Sequence, residues 1–264
     1  MVNECKKLLA EIRKRKPLLH HITNYVVMND NANIALHIGA SPVMAHAYEE
    51  IEEMTSLASA LVINIGTLDK DWIKSMELAI STANKRGIPV ILDPVGAGAT
   101  QLRTDTALRF LSVYQITVLK GNAGEISVLA GLGGQVKGVD SVSAEAPLEA
   151  ARTAAEKFGV ITAITGKEDI VSDGKNTLIV KNGHQWLSTI TGSGCNATTV
   201  ISAFVAVADN ILNAVACGLG AYGVAAEIAA QKAQGPASFK QALFDAVYNL
   251  SDTDIEKLLN IENV

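Results

Sequence analysis

The sequence is poor in aromatic residues, charged residues and cysteine, and each shortage excludes a class of protein. Aromatic side chains make up 5% of the 264 residues and charged side chains 19%, with a formal net charge of −5. This acidic balance argues against nucleic acid as a partner, because nucleic-acid surfaces need basic patches and stacking platforms. The three cysteines are odd in number and widely spaced, so neither a disulfide framework nor a cysteine metal site is expected.

An uninterrupted apolar run long enough to cross a membrane is also missing, although the mean hydropathy is +0.24. A spanning helix needs about 20 apolar residues. The uncharged stretch 185–208 is interrupted by threonines, glycines, a serine and an asparagine, and the next apolar stretch by Asp209, Asn210 and Asn213. Charged residues open the chain, where a signal peptide would carry its apolar core. We therefore expect a cytoplasmic protein with no membrane partner, folded as a single domain over residues 1–264.

Two familiar phosphate-binding patterns are absent from the sequence. Gly166-Lys167 is followed by Glu168, and Ile161 occupies the first glycine position, so there is no GxxxxGK[ST] loop. No GxGxxG follows a predicted strand, which disfavours a dinucleotide-binding fold.

Short apolar runs alternate with helical patterns along the chain. Strands are predicted at 61–65, 88–92, 116–119 and 160–164, and helices at 1–16, 69–86, 104–111, 123–130 and 144–157. Residues 170–171 and 177–180 flank Asp173-Gly174, a hairpin signal. From Gly194 onward nearly everything is predicted to be helical, with breaks near Asn210 and Gly235-Pro236. This alternation predicts an α/β fold with a parallel sheet that is covered on both faces.

Ligands bind such sheets at the carboxyl ends of the strands, so the polar residues that follow strands are the candidates for a site. Asp93 and Glu125 follow neighbouring predicted strands. Paired carboxylates suit Mg²⁺ beside a phosphate, and they equally suit the capping of turns. Lys120 offers a cation to a phosphate or to Glu125, and Thr165-Gly166 offers a hydroxyl and an N–H to a phosphate or forms an ordinary turn.

A glycine-rich segment, TGSGC at 191–195, opens a long apolar helix. Glycines let a ligand approach the backbone, and free N–H groups with the helix dipole form an anion site suited to a phosphoryl group. The alternative is a helix start with no ligand. Cys195 is expected to have a lowered thiol pKa and to act as a base toward a hydroxyl, or else to fill space as a small buried residue.

His20 and His21 are predicted to be hydrogen-bonded structural side chains, because zinc would favour i, i+4 spacing.

These segments follow one another in an order that resembles the hydroxyethylthiazole kinase family, a branch of the ribokinase-like fold. The matching runs are LDPVGAG at 92–98, KGNAGEI at 120–126, TG at 165–166, TGSGC at 191–195, ITN at 22–24 with Val27, GASPVM at 39–44, NIGTL at 64–68 and GPASF at 235–239. The resemblance covers essentially the whole chain. It implies a three-layer α-β-α sandwich with a mostly parallel sheet.

The resemblance also implies an activity and a set of site residues. The family transfers the γ-phosphoryl group of ATP to the hydroxyl of 4-methyl-5-(2-hydroxyethyl)thiazole in thiamine salvage, with Mg²⁺, as cytoplasmic homotrimers whose thiazole sites lie between subunits. Matched residue by residue, the resemblance implies that the thiazole contacts Met44 and Gly192, with Asn24, Val27 and Gly66 nearby, and that ATP contacts Lys120, Asn122, Thr165 and Gly166. It implies that Asp93 and Glu125 bind Mg²⁺ and that Gly192, Ser193 and Gly194 form an anion hole. Cys195 would lie beside the acceptor hydroxyl.

Four features depart from the family pattern. Lys120 is often arginine, Gly124 usually serine and His21 commonly cysteine, and NATT at 196–199 is more polar than the family's usual start to this helix. Lysine keeps the charge but loses the bidentate fork of arginine.

Two other functions stay open, a salvage kinase for another small alcohol such as hydroxymethylpyrimidine or pyridoxal, and a non-catalytic sensor that binds thiazole or nucleotide. The TGSGC segment disfavours the first, and the joint presence of Asp93, Glu125 and Cys195 disfavours the second.

Overall fold

One mostly parallel sheet organises the protein. The computed structural model describes residues 1–132 and 145–264, and in this part of the chain nine strands are ordered β2-β1-β3-β4-β5-β6-β7-β8-β9. Strands β1 to β6 pair in parallel, and β7 to β9 extend the sheet in antiparallel fashion. The strands are β1 (Leu18–Ile22), β2 (Ser41–Val43), β3 (Ala60–Asn64), β4 (Val90–Asp93), β5 (Val118–Asn122), β6 (Ile161–Thr165), β7 (Asp169–Ser172), β8 (Thr177–Val180) and β9 (Ile261–Asn263).

Helices cover both faces of the sheet. Neighbouring residues of one strand, such as Ile91 and Leu92 on β4, enter two different apolar clusters, so the strands are buried on both sides. One face carries α1 (Val2–Arg15), α2 (Met28–Ile38), α8 (Ser193–Val205), α9 (Ile211–Lys232), α10 (Pro236–Asn249) and α11 (Asp252–Leu258), and the other carries α3 (Ile51–Leu57), α4 (Lys70–Arg86), α5 (Gln101–Val113), α6 (Ala123–Ala130) and α7 (Glu145–Phe158). The three-layer α-β-α sandwich is confirmed.

The predicted elements between residues 61 and 180 are confirmed, and their ends differ from the predicted ends by a few residues. Ala144, the predicted start of α7, lies outside the described residues. Sequence patterns missed β1, α2, β2 and α3, because β1 contains two histidines, β2 contains a proline and α2 is rich in asparagine. The expectation that the chain after Gly194 is nearly all helical is wrong at its end, where β9 pairs with β8. The single-domain organisation stays a prediction.

Helix α9 accounts for much of the apolar surplus of the chain. Within the described residues it is the one helix that is long and apolar enough to cross a membrane by length and composition, and 72% of its most apolar window is buried inside the protein. Its position between α8, α10 and the sheet is that of a core helix.

Candidate active site

The site is built around the first turn of α8. Gly192 precedes this helix with φ 88° and ψ −1°, a left-handed conformation that glycine adopts at little cost. A Cβ atom at this position would lie 2.8 Å from Cγ1 of Val27, so the backbone there packs directly on the predicted substrate contact. The first N–H groups of a helix have no partner within the helix. The turn formed by Gly192, Ser193 and Gly194 is therefore suited to bind an anion.

Two asparagine amides converge on the thiol of Cys195. Asn64 Nδ2 donates to Sγ at 3.2 Å, and Asn24 Nδ2 lies 3.7 Å from Sγ and 2.9 Å from Asn64 Oδ1. The N–H of Gly66 donates to the same Asn64 Oδ1 at 3.0 Å. The loop after β1, the end of β3 and the start of α8 thus meet at Cys195, which brings together the predicted residues Asn24, Gly66 and Cys195.

The expectation of a lowered thiol pKa at Cys195 is wrong. Burial, assisted by the negative charge of Asp93, raises the pKa of Cys195 to about 11. The ammonium of Lys120 and the two asparagine amides act in the opposite direction but do not outweigh burial. At neutral pH the residue is a thiol.

A carboxylate and an ammonium lie beneath the helix start. Asp93 ends β4 with 1% of its surface exposed, and its Oδ2 accepts a hydrogen bond from the Thr198 hydroxyl at 2.6 Å. Lys120 Nζ lies 3.6 Å from the same oxygen and donates to the carbonyl of Gly194 at 3.0 Å. Burial alone would lower the pKa of Lys120, but the negative charges around it, led by Asp93, raise the pKa, so the ammonium stays charged.

Glu125 and Asn122 form a reciprocal capping box at the start of α6. The Asn122 N–H donates to Glu125 Oε2 at 2.8 Å, and Asn122 Oδ1 accepts from the Glu125 N–H at 2.9 Å. The second oxygen of Glu125 accepts from the N–H of Gly96 at 2.8 Å. Burial raises the pKa of Glu125 and outweighs these two backbone hydrogen bonds. The capping role that the sequence left open is therefore present, whichever other role Glu125 has.

The donor set fits a magnesium ion that shares its coordination with phosphates. Among the residues that the structure describes, no group of three or more His, Cys, Asp or Glu side chains is arranged to hold a metal by itself. Mg²⁺ usually keeps several waters and takes one or two carboxylates plus substrate phosphates. Asp93 and Glu125 are close enough for their charges to interact, and the charge of Asp93 contributes to the raised pKa of Glu125.

The turn after β6 is held by its own side chains. The Gly166 N–H donates to Asp169 Oδ1 at 3.0 Å, and the Thr165 hydroxyl lies 3.4 Å from the carbonyl of Gly121. Burial raises the pKa of Asp169 to about 7. The backbone N–H of Gly166 is thus already used by a carboxylate, and the predicted ATP contacts of Thr165 and Gly166 stay predictions.

Met44 follows the strand that pairs with β1, and β1 leads to Asn24. This strand, β2, is at the edge of the sheet, and β1 lies between β2 and β3. Among the described residues, Met44 shares no hydrogen bond with the site and is contacted through its carbonyl by His46. Val27, in contrast, packs on Gly192, and a cavity of about 470 Å³ opens beside this pair between the neighbouring Val26 and Thr191.

The two adjacent histidines have different surroundings. His20 is hydrogen-bonded to Thr55 Oγ1 at 3.0 Å and to the carbonyl of Ala45 at 2.7 Å, as expected for a structural side chain. The same expectation is wrong for His21, because neither of its buried ring nitrogens has a partner within residues 1–132 and 145–264. Burial lowers the pKa of His21 to about 3, so the ring is neutral.

Several residues of the site carry no strong sequence signal. Thr198 is one helical turn beyond Gly194, a spacing that places both on one face of α8. Asn64 lies inside the predicted strand 61–65, two residues before Gly66. Arg103 is a cation in the first turn of α5, where it opposes the helix dipole and where a specific partner is therefore expected.

A parallel sheet with an antiparallel extension, a glycine-rich helix start and a buried Asp–Lys pair beneath it together define a phosphotransferase of the ribokinase-like class. A profile of the family described as "HK: Hydroxyethylthiazole kinase family" matches residues 9–253. The chain belongs to the hydroxyethylthiazole kinase family, and it is a kinase.

Similar proteins agree with this assignment. The chain is 60% identical over 252 residues to the hydroxyethylthiazole kinase of Desulfatibacillum aliphaticivorans, covering 95% of this chain and 94% of the other. It is 55% identical over 257 residues to that of Desulforudis audaxviator, with 97% and 94% covered. The solved hydroxyethylthiazole kinase structure from Pyrococcus horikoshii has a TM-score of 0.93 at 45% identity, with 99% of each chain covered. A Bacillus subtilis pyridoxal kinase is similar in fold alone, at 16% identity and a TM-score of 0.59, covering 80% of this chain and 91% of that chain.

Proposed function

We propose that the protein transfers the γ-phosphoryl group of ATP to the hydroxyl of 4-methyl-5-(2-hydroxyethyl)thiazole, giving the thiazole phosphate and ADP for thiamine salvage. The observation that carries the proposal is the α8 start, where helix N–H groups without intrahelical partners follow Gly192. Cys195 lies in the same first turn, and the Lys120 ammonium donates to the Gly194 carbonyl. Phosphoryl transfer needs positioning and charge neutralisation and little covalent chemistry from the protein. This site supplies both.

The anion hole and the ammonium act on the phosphoryl group. The N–H groups that follow Gly192 bind the oxygens of the group in transfer, in a first turn whose dipole favours negative charge. Lys120, charged and held at 3.0 Å from the Gly194 carbonyl, neutralises charge on the same group. Asn122, Thr165 and Gly166 line the route on which we place the nucleotide.

The metal site is assigned to Asp93 and Glu125. Bound there with the nucleotide phosphates, Mg²⁺ would shield their negative charge. The Thr198 hydroxyl orients Asp93 by donating to Oδ2 at 2.6 Å, which leaves Oδ1 directed elsewhere. Glu125, whose oxygens accept N–H groups from Gly96 and Asn122, is better suited to a contact through water than to direct ligation.

We assign Cys195 the positioning of the acceptor hydroxyl rather than its deprotonation. Its sulfur accepts from Asn64 and is approached by Asn24, which fixes the thiol and leaves its S–H free to donate to the substrate oxygen. The pKa of about 11 keeps this proton on the sulfur at neutral pH. A loose phosphoryl-transfer transition state needs only weak base assistance, so the hydroxyl proton can pass late in the reaction to an oxygen of the transferred phosphoryl group.

We also propose a cytoplasmic homotrimer with thiazole sites between subunits. Met44 follows the edge strand of the sheet, and Tyr25, Val26 and Tyr48 are more than half exposed, at 59%, 64% and 55%. An interface over this apolar surface lets Met44 of one subunit line the site of another. Cys5, Cys195 and Cys217 are free thiols, which suits a reducing compartment.

A coupled assay of ADP release over a panel of small alcohols tests the proposed function. The panel contains the thiazole alcohol, hydroxymethylpyrimidine and pyridoxal, and mass spectrometry identifies the phosphorylated product. Strong turnover of the thiazole alcohol alone supports the proposal. Preferred turnover of another alcohol reassigns the substrate, and calorimetric binding of the thiazole without ADP release indicates a sensor instead.

A further inference from the structure

Arg103 occupies a position that is unfavourable for a cation. It lies in the first turn of α5, directly after the capping residue Thr100. Positive charge near a helix N-terminus opposes the helix dipole and is unfavourable there. A residue retained there needs partners that only its guanidinium can reach.

The guanidinium of Arg103 joins two loops that approach the site from neighbouring strands. Nη2 donates to the carbonyl of Gly66 at 2.7 Å, in the loop after β3, and Nη1 donates to the carbonyl of Val95 at 2.9 Å, in the loop after β4. These bonds use two donors of one planar fork, a geometry that lysine lacks. One side chain therefore bridges the two loops, whose strands already pair in parallel at Asn64 and Asp93.

Each loop continues directly into one half of the proposed site. Gly66 donates through its N–H to Asn64, whose amide holds the Cys195 sulfur on the acceptor side. Gly96, next to Val95, donates to Glu125 on the metal side. A shift of the guanidinium would consequently move both halves.

The backbone around the guanidinium leaves little space for other arrangements. Gly96 has φ 78°, and a Cβ atom there would lie 2.3 Å from Nη1 of Arg103. Gly66 packs so closely on Asn24 that a Cβ atom would lie 2.9 Å from its Nδ2. Gly96 thus allows the close approach of the guanidinium, and Gly66 allows the close approach of Asn24.

We propose that Arg103 is a positioning residue that holds the acceptor side and the metal side of the site at a fixed separation. The proposal rests on the function proposed above. Arg103 itself touches neither the substrate nor the reacting atoms. It acts through Gly66 and Val95, and its loss weakens catalysis by loosening the loops.

The test compares Arg103→Gln and Arg103→Lys with Arg109→Gln as the matched control. Arg109 lies on the same helix and pairs with Glu77 at 2.8 Å, away from the site. We expect Arg103→Gln to lower kcat at least tenfold and to raise KM for the thiazole alcohol. Arg103→Lys, which can reach one carbonyl but not both, should fall between Arg103→Gln and wild type. Arg109→Gln should keep wild-type kinetic constants.

Hydrogen exchange provides a readout that does not depend on turnover. We expect Arg103→Gln to lose amide protection in both 64–68 and 93–98, with little change elsewhere and a folded far-UV spectrum. Unchanged protection in these two segments overturns the proposal, as does a fall in Tm with kcat and KM unchanged. If wild type fails to phosphorylate the thiazole alcohol, the proposed function is wrong, and the exchange data still decide whether Arg103 holds the loops.

Discussion

At the scale of single residues, the chemistry of Cys195 depends on groups that are remote in sequence. Asn64 and Asn24 are 131 and 171 residues away from it along the chain. Their amides lower the pKa of the thiol and its burial raises that pKa, and the effect of burial is the larger one. The sequence alone could place Cys195 at a helix start, but not its protonation state, because that depends on this remote packing.

Replacement of Cys195 by alanine should reduce kcat by about tenfold, which is the reduction expected when one hydrogen bond to the substrate is lost. Loss of a general base would reduce kcat by about 10²–10⁴-fold. Since the pKa of Cys195 is about 11, the thiol stays protonated as pH rises from neutrality. A positioning thiol therefore gives wild-type kcat that is flat between about pH 7 and 9, whereas a base would give a rate that rises tenfold per pH unit. Steady-state kinetics across this range measure both effects, and a rising profile that Cys195→Ala abolishes would restore the base role.

Asp93→Asn should lower kcat by about 10²-fold or more and shift the Mg²⁺ titration to higher concentration. The change keeps the size of the side chain but removes the negative charge that we assign to the metal site. Asp71→Asn, at an exposed carboxylate on α4, is the control and should behave as wild type. An unchanged Mg²⁺ titration for Asp93→Asn would remove this residue from the metal site.

At the scale of elements, the start of α8 depends on a glycine for two separate reasons. Gly192 has φ 88°, and its Cα lies so close to Val27 that a Cβ atom would come within 2.8 Å of it. Gly159 has a similar conformation, with φ 65°, but nothing lies within 4 Å of its Cβ position. Alanine at Gly159 would therefore meet only the conformational cost of a positive φ, whereas alanine at Gly192 would meet this cost and a steric clash as well.

We expect Gly159→Ala to cost about 1 kcal/mol of unfolding free energy and to leave kinetics unchanged, because only the left-handed conformation is strained. Gly192→Ala should cost more and raise KM for the acceptor, since Val27 must also move. Denaturant unfolding and steady-state kinetics of both variants provide the comparison. Equal stability losses and equal KM values would show that the contact with Val27 is unimportant.

The sequence predicted the elements with strong periodicity and missed those set by tertiary contacts. Strands β3 to β6 are recognisable in the sequence because burial on both faces requires apolar runs. Helix α4 is recognisable because Asp69 caps its start. Strand β1 has His20 and His21 in its interior, and their burial follows from helices that pack on it from distant parts of the chain. Arg103 was missed for a different reason, because its partners are backbone carbonyls, which no residue pattern marks.

At the scale of the whole molecule, exposed residues around β2 form the surface on which we place the proposed subunit interface. Tyr25 packs against Trp72 with ring centroids 4.6 Å apart, and the His46 ring lies 5.0 Å from the same indole. Tyr48, two residues after His46, is exposed. Aromatic surfaces of this kind are frequent in subunit interfaces. The proposed trimer would bury this one.

Tyr48→Glu should dissociate the trimer and raise KM for the thiazole alcohol, because a buried unpaired charge is costly and Met44 would no longer reach a neighbouring site. Tyr248→Glu, at a comparably exposed tyrosine on α10, should leave the assembly intact. Light scattering coupled to size-exclusion chromatography gives the masses. A monomeric wild type, or a Tyr48→Glu variant that keeps its mass and its KM, would contradict the proposed interface.

Both borders of the sheet end in strands of three residues, β2 and β9. The first contains Pro42, which has no N–H to offer, and the second carries Glu262 in an ion pair with Lys181 at 2.6 Å. Long, unprotected strand edges are the usual starting point for intermolecular β-pairing. Edge strands this short offer few backbone groups to a strand of another molecule. The folded chain is therefore protected against fibrous aggregation at high concentration, although its interior is rich in apolar residues.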